Sequence, residues 1–187
     1  AAAASYPGAY GDYVAVAATA GDFTPAVYTN YGPGTTISAP GGDQDYYYEE
    51  EYRYPSFMGE GNLGYGDLGC ILSTLPTSIS PSGYGYMEGT SMACPHVSGV
   101  VALGMSYALQ LGRKFTREEF TSMLLTSVND IDGRLGSGSK KYADGTFELA
   151  SYKGKMGTGA VDAWKFLMAL EGTPTYLTSP GETLTIN

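Results

Sequence analysis

The chain has 187 residues, enough for one domain with a buried core, and a formal charge of −9. Because no stripe of Lys and Arg interrupts that acidic balance, the sequence excludes a nucleic-acid-binding surface. The basic pairs Arg113–Lys114 and Lys140–Lys141 are predicted to be solvated surface. We expect no segment to span a membrane, since no run reaches about 20 apolar residues, and no signal-like segment fixes a compartment.

Three short strands are predicted in the first half of the chain, at residues 13–18, 35–38 and 70–74. The first is an apolar run typical of a parallel sheet that is buried on both faces. Residues 43–69, between the second and third strands, are rich in Tyr, Glu and Gly without periodicity. This segment is predicted to be a long acidic surface insertion.

Three helices are predicted to follow. The first, at about residues 91–111, is apolar almost all round and is therefore expected to be central. The second begins at Thr116, with Glu119 three residues later as in a capping box, and the third covers about residues 161–170. An Asp144–Gly145 turn predicts a hairpin before the third helix. Residues 1–171 form the predicted domain, and residues 172–187 a linker or the first strand of a following β-rich module.

Ser91 lies where a loop meets the first helix, which places its hydroxyl at the positive end of a helix dipole. Its backbone N–H could donate to a developing oxyanion, and Gly89 permits a tight turn before it. Pro95 is tolerated because it falls near the first turn. From these residues alone, Ser91 is either a nucleophile or simply the N-cap of the helix.

A longer motif favours the nucleophile. Residues 89–99 read G-T-S-M-A-C-P-H-V-S-G, which closely resembles the serine motif of the subtilisin-like proteases, with Gly89, Thr90, Pro95 and His96 as its structural members. Further segments are similar to the same family: residues 6–10 (Y-P-G-A-Y), 29–32 (T-N-Y-G), 37–41 (I-S-A-P-G), 71–75 (I-L-S-T-L) and 157–163 (G-T-G-A-V-D-A). The resemblance implies an α/β fold, part of a doubly wound, mostly parallel sheet with a central helix headed by Ser91.

The resemblance also shows which catalytic parts this chain lacks. A serine nucleophile needs a base oriented by a carboxylate. The family's Asp, its catalytic His and its oxyanion Asn all precede the Tyr-Pro turn, so we interpret the chain as the C-terminal portion of a catalytic domain. The one histidine is His96, five residues after Ser91. Five helical residues advance about 7.5 Å and turn roughly 500°, so His96 points away from Ser91 and is predicted to be structural, held by a nearby strand or loop.

By the same resemblance, Ser5, Tyr6, Pro7 and Gly8 would line the pocket for the substrate residue before the scissile bond; the alternative is an ordinary turn. No cofactor is expected. The acidic run from Asp43 to Glu51 could bind calcium, but it lacks EF-hand spacing and is better explained as a solvated loop. Cys70 and Cys94 are predicted to be buried thiols outside any disulfide, with Cys94 packing the helix.

The resemblance implies a serine endopeptidase in the full-length parent that cleaves polypeptides through an acyl-enzyme on Ser91. The chain alone is expected to be inactive, and the alternative is a non-catalytic fragment or pseudoenzyme that acts as a binding or structural module. A sheet edge and apolar faces exposed without the N-terminal half predict self-association. Family habit alone implies a secreted or cell-surface location.

Overall fold

The computed structural model describes residues 6–44, 69–142 and 145–172. Ser5, residues 45–68 of the predicted insertion and residues 173–187 of the predicted tail lie outside them. The strands are β1 (Val16–Thr19), β2 (Ile37–Pro40), β3 (Ile71–Thr74), β4 (Tyr84–Met87), β5 (Val128–Asn129), β6 (Ser139–Tyr142), β7 (Gly145–Glu148) and β8 (Ala160–Val161). The helices are α1 (Thr90–Gln110), α2 (Arg117–Thr126) and α3 (Ala163–Glu171).

The main sheet has the order β1-β2-β8-β5. β1 and β2 run parallel with Val16 opposite Ile37, β8 continues parallel to β2, and β5 closes the sheet antiparallel to β8. Ala18 faces a cluster that includes residues of α1 and α3, whereas its neighbour Ala17 faces a second cluster around Ile131 and Leu135. Because successive strand residues point to opposite faces, the sheet is covered on both sides. The predicted α/β fold is confirmed.

The third predicted strand, β3, lies outside the main sheet. β3 pairs with β4 in an antiparallel hairpin, with Leu72 opposite Tyr86, and β4 runs directly into α1. The predicted hairpin before α3 is formed by β6 and β7, with Ser139 opposite Glu148. Gly145 of the predicted turn is the first residue of β7, opposite Tyr142, and Asp144 lies outside the described residues. β4 was not predicted from the sequence, and it is the strand that leads into the helix carrying Ser91.

α1 has two different faces. Ala93, Val97, Gly104 and Ala108 are buried, and the helix contacts β1, β2 and α3. The outer face of α1, which we define by six exposed residues, is turned away from that core (Ser98, Gly99, Ala102, Leu103, Met105 and Leu109). By length and composition alone α1 could cross a membrane, because it has 21 residues and contains an 18-residue window with a mean hydropathy of 1.3. A core helix of a soluble protein has the same length and composition, so the expectation that no segment spans a membrane stays a prediction.

The ends of α2 and α3 follow from their sequences. Thr116 Oγ1 accepts the backbone N–H of Glu119 at 3.1 Å, and the Glu119 carboxylate accepts the backbone N–H of Thr116 at 2.8 Å. This confirms the predicted capping box. α3 is capped by Asp162 and ends at Gly172, whose φ of 81° is a left-handed conformation that glycine adopts without steric cost.

Candidate active site

Ser91 lies at the carboxyl ends of the parallel strands. β2 ends at Pro40, and the carbonyl of the following Gly41 accepts the backbone N–H of Gly89 at 2.9 Å. α1 then begins at Thr90, so that Ser91 is its second residue, and Ser91 is exposed. In open α/β sheets, the carboxyl ends of the strands are where substrates bind.

Gly89 is the N-cap of α1, and Ser91 is not. The φ of Gly89 is 148°, a conformation that favours glycine, and its carbonyl accepts the N–H groups of Met92 and Ala93 at 3.0 and 3.2 Å. No side chain caps this helix end. First-turn N–H groups have no intrahelical acceptor, which leaves the N–H of Ser91 without a partner inside α1. The interpretation of Ser91 as an N-cap is therefore wrong.

The backbone beneath Ser91 is fixed by a set of contacts that we call the strand-end junction, formed by Gly41, Gly42, Asp43 and Tyr28. The Tyr28 hydroxyl is 2.8 Å from the Gly41 carbonyl oxygen and 2.6 Å from that of Gly42. Burial, and secondarily the Glu88 carboxylate, raise the pKa of Tyr28 well above its ordinary value. Tyr28 is therefore a neutral hydrogen-bond donor.

Asp43 completes the junction as a buried ion. Its Oδ2 accepts the N–H of Val27 at 3.1 Å, the Nζ of Lys140 at 3.0 Å and the hydroxyl of Tyr142 at 2.5 Å. Asp43 is 0% exposed and Lys140 is 2% exposed. Burial lowers the pKa of Lys140, and the negative charge of Asp43 opposes that shift. Within the described part of the chain, Asp43 Oδ1 has no hydrogen-bond partner.

This ion pair corrects the prediction for Lys140, which is not solvated surface. Its ammonium also donates to the carbonyl of Pro25 at 2.8 Å, so that its proton donors meet acceptors inside the protein. Asp43 likewise differs from a solvated loop residue, because its charge is already used by Lys140. The described residues contain no group of three or more His, Cys, Asp or Glu side chains that could hold a metal ion. Calcium binding by the rest of the acidic run stays a prediction.

His96 is exposed, with its Nδ1 2.8 Å from the carbonyl oxygen of Met92, one turn earlier on α1. Since a carbonyl only accepts, Nδ1 carries the proton in this contact. The partner is therefore the helix's own backbone, and not the nearby strand or loop that was predicted. Pro95 lies inside α1 and cannot donate to the carbonyl of Ser91, which leaves that carbonyl without its usual helical partner.

The predicted pocket residues occupy a turn at the other end of the strands. The N–H of Tyr10 donates to the carbonyl of Pro7 at 3.0 Å, and the Tyr6 and Tyr10 rings lie 4.9 Å apart. Ala9, next to Gly8, packs against Gly34, which precedes β2. A cavity of about 420 Å³ adjoins this turn, lined in part by Tyr10, Tyr13 and Lys155. The turn thus lies near the amino ends of the strands, and a substrate role for Tyr6, Pro7 and Gly8 stays a prediction.

The structure forms no disulfide between Cys70 and Cys94. Cys94, however, is exposed on the first turns of α1, and Cys70 is only partly buried. The predicted burial of both thiols is therefore wrong, and so is the packing role of Cys94, whose side of α1 faces outward while Ala93 and Val97 face the core.

The chain is similar to known proteins in both sequence and structure. The sequence model of the subtilase family matches residues 1–149. An extracellular basic protease of Dichelobacter nodosus is 30% identical over 137 residues, which cover 72% of this chain and 18% of the relative. The major intracellular serine protease of Bacillus subtilis is 41% identical over 83 residues, covering 43% of this chain and 25% of that protein.

Among solved structures, the chain resembles a protease from Pseudoalteromonas arctica with a TM-score of 0.58 and 29% identity. The similarity covers 88% of this chain but 38% of that protein. The chain therefore spans less than half of the length of the proteins that it matches. With the family model matching most of its residues, the chain belongs to the subtilase family of serine proteases.

Proposed function

We propose that Ser91 is the nucleophile of a serine endopeptidase when this chain is part of its whole protein. The observation that carries the proposal is the position of Ser91, exposed in the first turn of α1 and preceded by Gly89 in a conformation that favours glycine. No side chain of the helix cap competes for the first-turn N–H groups. A hydroxyl and a backbone donor then approach the same carbonyl group of a substrate.

The reaction follows from these two groups. Ser91 Oγ attacks the carbonyl carbon of a peptide bond, and its proton passes to a base. The negative charge that develops on the carbonyl oxygen is stabilised by the N–H of Ser91 and by the dipole of α1. The C–N bond then breaks, the amine leaves with a proton, and water hydrolyses the acyl-enzyme to release the acid and restore Ser91.

We propose that the base comes from the part of the protein outside this chain. The chain has one histidine, His96, and its Nδ1 is occupied by the carbonyl of Met92. A base must lie within hydrogen-bonding reach of the hydroxyl that it deprotonates, and five residues of helix separate His96 from that position. The chain alone is accordingly expected to be inert, and polypeptides are the substrates of the complete enzyme.

The rest of the catalytic domain would also cover the outer face of α1. Leu103, Met105 and Leu109 are 49%, 58% and 78% exposed there, which is unusual for three large apolar residues on one helix. An extracellular location is supported by the name of the Dichelobacter nodosus relative, whereas the Bacillus subtilis relative is named as intracellular. We propose secretion for the whole protein on the strength of the first.

A second candidate function is a non-catalytic binding or structural module. It is favoured by one observation, namely that the only imidazole in the chain is engaged with backbone and lies beyond Ser91 on the same helix. Such a module would keep the fold and the serine motif without hydrolysing peptides.

A fluorophosphonate probe distinguishes the two candidates, because it reacts only with an activated serine. We expect it to label the whole protein and to leave this chain alone unlabelled. Ser91→Ala should abolish the label, whereas His96→Gln, a matched substitution in the same motif, should keep it. A whole protein that folds but takes no label would refute the protease proposal, and loss of the label in His96→Gln alone would refute the assignment of the base.

A further inference from the structure

We infer that Tyr28 is a positioning residue for Ser91, which acts by holding the Gly41–Gly42 backbone through its hydroxyl. The inference rests on the proposed function of Ser91. Tyr28 does not belong to the serine motif, and 63 positions of sequence (28 to 91) separate the two residues. Their link is a short series of backbone contacts at the carboxyl end of β2.

The series runs from one hydroxyl to the start of α1. The Tyr28 hydroxyl is shared between the carbonyl oxygens of Gly41 and Gly42, at 2.8 and 2.6 Å. The Gly41 carbonyl also accepts the N–H of Gly89 at 2.9 Å. The Gly89 carbonyl in turn accepts the N–H groups of Met92 and Ala93, which close the first turn of α1. A shift of the Gly41 carbonyl is therefore passed to the turn that carries Ser91.

The junction has little room to relax. A Cβ atom added to Gly41 would lie 2.5 Å from Ala18 Cβ, 2.8 Å from the carbonyl oxygen of Gly89 and 2.9 Å from the Tyr28 hydroxyl oxygen. Contacts under 3 Å force neighbouring atoms to move, so β1, β2, Tyr28 and the serine loop meet here at close packing. The ring of Tyr28 packs against the buried cluster that contains Ala18, Ala39 and Ala93. Ring packing and hydrogen bonding are thus separable, since removal of the hydroxyl leaves the ring in place.

The hydroxyl is suited to a fixed donor role. The Glu88 carboxylate, next to Gly89 in sequence, adds to burial in disfavouring the phenolate, and so Tyr28 keeps its proton over the working range of a protease. A phenolate could not donate to either carbonyl. The alternative is that the hydroxyl contributes only to stability, with no influence on the reaction at Ser91.

The test compares variants of the whole protein. Tyr28→Phe removes the hydroxyl and keeps the ring, and Tyr107→Phe is the matched control, since Tyr107 lies on α1 about 24 Å beyond Ser91 along the helix axis. We expect Tyr28→Phe to lower kcat for a peptide substrate, and the rate of fluorophosphonate labelling, by about tenfold, with KM within about twofold of wild type. Tyr107→Phe should change neither quantity.

A rescue variant makes the test independent of folding losses. Replacement of Tyr28 by 4-aminophenylalanine restores an N–H donor on the same ring and should recover most of kcat. An unchanged kcat in Tyr28→Phe would overturn the inference. So would a loss of kcat in the 4-aminophenylalanine variant as large as the loss in Tyr28→Phe. If wild type itself takes no label, the proposed function fails instead, so the two failures are distinguishable.

Discussion

The strand-end junction and the outer face of α1 invert the usual distribution of polar and apolar residues. The junction buries Asp43 together with its ion-pair partner Lys140, at 0% and 2% exposure. The outer face exposes Leu103, Met105 and Leu109 at 49% or more. Charged residues are rarely fully buried without a partner, and large apolar residues are rarely exposed in a group. Each departure therefore indicates what its region does.

At the junction, the buried charges fix backbone geometry. Asp43 joins the loop after β1, the end of β2 and the strand β6, through Val27, Lys140 and Tyr142. A buried ion pair contributes little net stability, but loss of one partner is costly because the other charge remains buried. The outer face of α1 carries no such network, and its apolar surface is available for contact. The two regions should therefore respond differently to substitution.

The largest expected effect follows from removing the charge of Asp43. Asp43→Asn leaves the Lys140 ammonium buried without its counter-ion, which should destabilise the whole protein by about 3–5 kcal/mol. The matched control is Asp12→Asn, because Asp12 pairs with Arg117 at 3.4 Å but both side chains are exposed. That control should cost no more than about 0.5 kcal/mol. Urea unfolding midpoints measure both.

The deficit of Asp43→Asn should also depend on pH. Burial lowers the pKa of Lys140 in the folded state relative to the unfolded state, so the unfolded state binds more protons above that lowered pKa. Stability therefore rises with pH between the folded pKa and the ordinary lysine value, and without Asp43 this range extends to lower pH. A deficit that grows as pH rises, or costs that are equal for the two Asp→Asn changes, would contradict the ion-pair account.

The next largest change in stability should come from glycine-to-alanine substitution on the two faces of α1, at Gly104 and at Gly99. A Cβ on Gly104 would overlap the ring of Phe166 and lie 3.1 Å from Leu170 Cδ1, whereas a Cβ on Gly99 meets nothing within 4 Å. Gly104→Ala should cost about 1–3 kcal/mol through overpacking. Gly99→Ala should stabilise the chain alone by about 0.5–1 kcal/mol, since alanine favours a helix.

Thermal unfolding of the chain alone compares the two alanine variants. Changes of the same sign would show that the faces do not differ in packing. Repeating the measurement in the whole protein sharpens the contrast: if the rest of the catalytic domain covers Gly99, its substitution should lose the stabilising effect.

Local signals in the sequence predicted the three helices and a hairpin, but not every strand and not the long-range partners of the strands. The capping box of Thr116 and Glu119 and the hairpin of β6 and β7 depend on neighbouring residues, and both are confirmed. β4 was missed because its sequence Y-G-Y-M has no apolar alternation, and it is stabilised as a strand by pairing with β3. Lys140 was predicted to be solvated because its partner Asp43 is 97 residues away. Charge pairs at that separation leave no periodic signal.

The candidate site divides in the same way. The position of Ser91 at the start of a helix followed from the motif, because a glycine, a serine and a long apolar run are contiguous in sequence. The Gly41–Gly89 hydrogen bond and the Tyr28 hydroxyl could not be predicted, since they depend on how β2 meets the serine loop. The whole of α1 was predicted to be central because its sequence is apolar almost all round. Hydrophobicity shows that a residue favours apolar contact, but it does not show whether the contacting surface belongs to this chain.

The smallest expected change in stability belongs to that outer face, where the effect should be on association. Leu109 is 78% exposed, so Leu109→Gln should change the stability of the folded chain by no more than about 0.5 kcal/mol. Burial of a leucine side chain at an interface contributes about 1.5–3 kcal/mol, so the same change should weaken self-association of the chain alone by about tenfold or more.

Leu72→Gln is the control, because Leu72 is 54% exposed on β3 and lies apart from α1. Light scattering over a concentration series should then give a mass above the 19.7 kDa of the chain for wild type and for Leu72→Gln, and a lower mass for Leu109→Gln. A monodisperse wild-type monomer would remove the reason to regard the outer face as a contact surface, whereas equal weakening by both substitutions would move that surface away from α1.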